Sequence, residues 1–176
     1  SVFELIEPGR QVSIEREVFP DLVGNGLTCV RSEGYWRDIG TLESFLAANA
    51  DAVAGRVHTR LGGSEDAVLV DATAEVDEGV QLIGPVQIGS GAKIGAGAEI
   101  GPDTVIGADA TVARDAVVRG SVLLAGAQVA ADATVERSVV GRDALVGERA
   151  RVIDSALGTD QAAGSGEELV GERRPG

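Results

Sequence analysis

An aliphatic residue recurs at every sixth position, unbroken, from Val70 through Val76, Leu82, Ile88, Ile94, Ile100, Ile106, Val112 and Val118 to Leu124. Four residues after most of these anchors stands a small or β-branched residue, as at Ala74, Val80, Val86, Ala92, Ala98, Thr104, Ala110, Ala116 and Val122. A helix repeats near 3.6 residues and would scatter such anchors around its axis. A strand repeats at two, so the anchor and the residue four later share a strand face. The glycines that often follow an anchor (Gly89, Gly95, Gly101, Gly107) then mark corners between short strands. Three strand-and-corner sides of six residues close one triangular coil, and coils stack through parallel backbone hydrogen bonds about 4.8 Å apart. A narrow bore cannot hold a large side chain at every inward position, so Ala and Val alternate with the longer anchors.

The register then slips. Anchors resume at Val129 and Val135 and again at Val140, Val146 and Val152, with steps of five from Leu124 to Val129 and from Val135 to Val140. Local variants at Ser121-Val122-Leu123-Leu124 and Ser138-Val139-Val140 accompany the slips and predict shortened corners. The array from Val70 to about Leu157 predicts roughly five coils. A single coil cannot bury its own interior, so the stack is the folding unit. The tail from residue 159 to 176 is rich in Gly, Glu and Arg and is expected to be disordered.

The first sixty residues lack the six-residue register and hold all the aromatics. Ser1 to Ile6 reads as a strand remnant. Ser13 is an N-cap candidate with Glu15 in the first turn of a short helix, and Gly24-Asn25-Gly26 ends that run. Leu27 to Ser32 reads as a strand, with Cys29 a small buried hydrophobe and Trp36 a core anchor. Thr41 caps a clearer helix from Leu42 to about Ala54, with Leu42, Phe45, Leu46, Ala50 and Val53 on its apolar face and Gly55 as its stop. Sixty residues of this kind make a poor independent core. The domain reading is therefore an α/β remnant over 1–60, a solenoid over 61–158 and a tail over 159–176. The absence of methionine and the start at Ser1 point to a piece of a longer protein.

The formal charge of −13 argues against binding nucleic acid through phosphate contacts. A lone cysteine allows no internal disulfide. No segment approaches a transmembrane span or a secretory signal, which points to the cytoplasm.

Two motifs precede the array. Ser13-Ile14-Glu15-Arg16-Glu17-Val18-Phe19-Pro20 and Gly34-Tyr35-Trp36-Arg37-Asp38-Ile39-Gly40-Thr41 lie in that order, followed by Leu42-Glu43-Ser44-Phe45. Together with the hexad array they resemble the sugar-1-phosphate nucleotidyltransferases, the NDP-sugar pyrophosphorylases that include mannose-1-phosphate guanylyltransferases. The second motif closes the catalytic domain in that family, and many members continue into a hexapeptide-repeat, left-handed parallel β-helix. The left hand is implied by the resemblance. So is the activity: transfer of a nucleotidyl group from a nucleoside triphosphate to a sugar 1-phosphate, releasing pyrophosphate. The resemblance implies that Asp38 helps to hold a catalytic Mg²⁺, which favours one or two carboxylates beside phosphate oxygens. Gly40 and Thr41 are placed near the phosphate, and Glu15 is a further substrate-proximal candidate. The family's glycine-rich nucleotide loop, its sugar-phosphate basic residue and its first Mg²⁺-binding aspartate have no counterpart in this sequence, so the isolated chain is expected to be inactive. The related enzymes often use the β-helix for homo-oligomer contacts, which makes an assembly and regulatory module the second reading. Acyl transfer, common on hexapeptide helices, needs a general base. The one histidine, His58, stands in the linker and none stands on a coil, which disfavours that chemistry.

Overall fold

The computed structural model describes residues 2–60 and 62–176. Ser1 and residue 61, the latter where the sequence reading starts the solenoid, lie outside them. Packing divides the chain into two compact units, Ser1–Tyr35 and Trp36–Gly176.

The larger unit is a three-sided parallel solenoid. One sheet has seven strands, from Val68–Val70 to Arg173–Arg174, and the other two have six each. Every strand pairs in parallel with the strand one coil away, so the sheets are the three faces of one winding. The early coils repeat after 18 residues, as in Ile88 beside Ile106. The later ones repeat after 17, as in Ile106 beside Leu123 and Leu123 beside Val140.

The bore is filled as the pattern predicts. Ile88, Ile94, Ile100, Ile106, Val112 and Val118 are buried, and so are the intervening Ala92, Ala98, Thr104, Ala110 and Ala116. The first coil is open at its outer end, which leaves Val68, Val70 and Val76 exposed.

The slip in register corrects one anchor. Leu123 fills the core column between Ile106 and Val140, whereas Leu124 is 38% exposed. The short step therefore runs from Val118 to Leu123, and it recurs from Val135 to Val140 and from Val152 to Leu157. At each shortened corner stands a buried serine: Ser121, Ser138 and Ser155. The Ser138 amide donates to Ser121 Oγ at 3.0 Å, and the Ser155 amide donates to Ser138 Oγ at 3.0 Å. A corner one residue shorter turns its amide away from the carbonyl ladder, and the hydroxyl of the coil before it supplies the acceptor.

The winding also runs further than expected. Strands at Ala162–Ala163, Glu168–Val170 and Arg173–Arg174 extend the three sheets through the segment expected to be disordered, giving about six coils. Ala163 and Leu169 continue the inward columns after Leu157 at six-residue steps, so apolar burial persists under a polar composition. Asp and Gly in the tail belong to corners, as at Asp160 and Gly166, both in the left-handed region. Asp tolerates that conformation better than most side chains.

Helical elements stand in both units. In the smaller one, Val2–Leu5 is a 3₁₀ turn where a strand remnant was expected. Ile14–Val18 is a π turn leading into α1 (Phe19–Leu22), which has Pro20 in its first turn. Leu27 to Ser32 forms no strand and pairs with none among the described residues, and Cys29, expected to be buried, is exposed. In the larger unit, α2 (Leu42–Val53) packs against the outer face of the solenoid at Thr104–Ile106 and buries Val53 with the following Ala54. Gly55, at φ +74°, ends it: the Arg56 amide reaches back to the Asp51 carbonyl at 2.9 Å and the Gly55 amide to Ala52 at 3.2 Å.

Candidate functional site

The segment before α2 brings together three of the four residues singled out by sequence. Asp38 Oδ1 accepts the Gly40 amide at 2.8 Å, which folds residues 38–40 into an Asx turn. Thr41 follows as N-cap. Its Oγ1 accepts the Ser44 amide at 3.1 Å, and Ser44 Oγ accepts the Thr41 amide at 3.1 Å. Two orphan donors of the helix start are thereby satisfied in a reciprocal box. Asp38, Gly40 and Thr41 all face solvent. Trp36, expected in the core, is 83% exposed.

Glu15 belongs to the smaller unit, exposed on the π turn. Its motif is locally a capped turn. Ser13 Oγ accepts the Arg16 amide at 3.3 Å, and the Ser13 amide donates to Glu17 Oε1 at 3.0 Å. The Ser13 amide, with Arg10 on the other oxygen at 2.7 Å, holds the Glu17 carboxyl below the usual glutamate range.

What the sequence did not reveal is the set of ion pairs around Asp51. Asp51 lies in the last turn of α2, where the helix dipole opposes a carboxylate. It is nonetheless buried. Arg37 donates to its Oδ2 through Nη2 at 2.7 Å and Nε at 3.1 Å, and Arg56 donates to its Oδ1 at 3.0 Å. Arg56 also bonds Glu65 at 3.1 Å. These pairs raise the Arg56 pKa, with Glu65 the larger cause and Asp51 the next. A carboxylate at the unfavourable end of a helix was the available signal; only folding shows that two guanidinium groups flank it.

The arrangement can present one carboxylate on an anchored loop. Among the described residues no group of three or more His, Cys, Asp and Glu side chains is placed to hold a metal ion. The Asp38 carboxylate is exposed, with Oδ1 taken by the Gly40 amide, and it is a hard oxygen donor of the kind Mg²⁺ takes beside water and phosphate oxygens. Gly91 and Gly97, which end the stretches Gly89-Ser90-Gly91 and Gly95-Ala96-Gly97, sit at solenoid corners. His58 is exposed. Among the described residues no helix is long and apolar enough to cross a membrane.

Comparison with known proteins sets this geometry in a family. The model of the GMPPB C-terminal domain matches residues 82–170, half of the chain. The chain belongs to that family. It is 40% identical over 93 residues to a mannose-1-phosphate guanylyltransferase of Mycobacterium tuberculosis, covering 51% of this chain and 26% of that protein. Over 57 residues it is 40% identical to a glucose-1-phosphate adenylyltransferase of Granulibacter bethesdensis, covering 26% of this chain and 14% of the relative. The chain thus spans about a quarter or less of the length of these curated relatives. Among solved structures, the acetyltransferase domain of PglB from Neisseria gonorrhoeae, in complex with acetyl coenzyme A, superposes with a TM-score of 0.50 at 18% identity. That match covers 80% of this chain and 77% of the other, and at this identity it speaks for the fold alone. The solenoid is a left-handed parallel β-helix, the C-terminal β-helical domain of a protein resembling the sugar-1-phosphate nucleotidyltransferases.

Proposed function

We propose that the chain is the C-terminal part of a sugar-1-phosphate nucleotidyltransferase, which moves a nucleotidyl group from a nucleoside triphosphate to a sugar 1-phosphate and releases pyrophosphate. The 40% identity to the mycobacterial mannose-1-phosphate guanylyltransferase is the observation that carries this reading. Residues 1–60 close the catalytic domain and the β-helix follows it as a module for homo-oligomer contacts and regulation. The enzyme works in the cytoplasm. Asp38 supplies one carboxylate to a Mg²⁺ that, when bound, neutralises charge on the reacting phosphates. Gly40 keeps the backbone small beside Asp38: a Cβ there would lie 3.1 Å from the carboxylate oxygen. Thr41 fixes the loop to α2, and Glu15 stands near substrate on the first unit.

One carboxylate does not assemble a charge clamp for phosphoryl chemistry. The 176-residue chain alone is therefore inactive. The test is pyrophosphate release by the longer protein that contains this segment, with mannose 1-phosphate or glucose 1-phosphate and each of several nucleoside triphosphates. Asp38→Asn is expected to lower turnover by about a hundredfold or more, the cost of removing a metal-holding group. Undiminished turnover by that variant, or turnover by the isolated chain, refutes the assignment.

A further inference from the structure

We propose that Asp51 is a positioning residue for the loop that carries Asp38, transmitting the rigidity of the solenoid to it. The inference deepens the functional reading above and rests on it for the role of Asp38.

Asp51 is 7% exposed, and both of its oxygens are used. The Arg37 fork closes on Oδ2 and Arg56 on Oδ1. Arg37 directly precedes Asp38 in the chain, so its guanidinium ties one end of the loop to the last turn of α2. The other end is tied at the first turn of the same helix by the Thr41–Ser44 box. The loop between these ties is residues 38–40, and its internal hydrogen bond is the one from Gly40 to Asp38. The helix is itself seated on the solenoid strand Thr104–Ile106, with Val53 and Ala54 buried at the end where Asp51 sits. Arg56 extends the tie to Glu65, just before the first coil.

The chemistry explains why a carboxylate stands there at all. At the C-terminal end of a helix it faces the negative pole of the backbone dipoles. A neutral residue would serve the helix better. Two guanidinium partners offset that penalty and the cost of burial. They come from opposite flanks of the helix, one from the loop and one from the lead into the coils. A carboxylate used only to stabilise the helix would stand in its first turn.

The experiment is amide hydrogen exchange on the full chain. Asp51→Asn keeps the shape and removes the charge. Exchange at the hydrogen-bonded amides of Gly40 and Thr41 is expected to rise several-fold, with core strand amides such as Val112 and Val135 unchanged. Where Asp51→Asn unfolds the chain, Arg37→Gln decides, since it leaves the Asp51–Arg56 pair in place and is expected to loosen the same two amides. Unchanged exchange in the folded variant overturns the proposal. In the longer enzyme, at a temperature where the variant stays folded, Asp51→Asn is expected to raise the Mg²⁺ concentration for half-maximal rate several-fold. An unshifted Mg²⁺ dependence in an enzyme that Asp38→Asn disables also overturns it. Asp38→Asn separates the two claims. Full activity in that variant refutes the functional reading, while exchange still decides whether Asp51 holds the loop.

Discussion

Ser138→Ala tests the serine column most sharply. Ser138 is fully buried, and its hydroxyl donates to the Glu136 carbonyl at 2.7 Å while accepting the Ser155 amide at 3.0 Å. The Val152 carbonyl is a second acceptor for the same hydroxyl, at 3.2 Å. Removing Oγ deletes too little volume to admit a water, so the Ser155 amide is left buried without its acceptor. A net hydrogen bond is worth about 1 kcal/mol, and an orphaned buried donor costs about 1–3 kcal/mol. The expected loss is therefore about 2 kcal/mol. Ser155→Ala provides the contrast. Its hydroxyl accepts the amide of Glu172, an exposed residue to which water has access, and its loss should cost under about 1 kcal/mol. Urea titration followed by far-ultraviolet circular dichroism measures both, with a common slope as evidence that the unfolding reaction is unchanged. Ser138→Ala within about 0.5 kcal/mol of the parent refutes the argument that the hydroxyl replaces a missing ladder acceptor. Equal losses for the two variants refute the argument that burial sets the difference.

Ile106→Ala should cost about 2–5 kcal/mol by leaving a cavity in a closed bore, whereas Val76→Ala, 38% exposed at the open first coil, should cost under about 1 kcal/mol in the same titration. Gly126→Ala should cost at least about 1 kcal/mol by urea midpoint, because Gly126 sits at φ +71° and an added Cβ would collide with the Asp143 carboxylate; adding Asp143→Gly should recover the collision part but not the backbone strain. Arg137 donates to Asp154 at 2.7 and 2.8 Å and holds its carboxyl below the ordinary 3.8. A depressed folded pKa adds stability above the ordinary value and loses it as pH falls through the folded one, so thermal melts of the parent should drop with acidification below about pH 4. Arg137→Gln should flatten that limb, and an identical acid profile in both proteins refutes the assignment.

The architecture was legible because a six-residue period admits few solutions. Each anchor and its small partner had to face one interior, and the pairing of Val76, Ile94 and Val112 across coils follows from equal spacing alone. The helix from Leu42 was equally readable, since Thr41, Ser44 and Gly55 act through local backbone geometry. The choice of Leu123 over Leu124 was not. Two adjacent leucines differ only in which side of a strand they occupy, and that is fixed by the coil above and below. The serine column, the ordered tail and the exposure of Trp36 and Cys29 share this cause: each depends on what lies one coil away or on whether a neighbour is present. At the candidate site, Asp38, Gly40 and Thr41 were marked by their order in the chain. Asp51 was not, because its partners at positions 37 and 56 meet it only when α2 is formed and seated. Periodicity is a property of the chain and sequence determines it; an ion pair across a helix is a property of distances, and only the tertiary structure decides those.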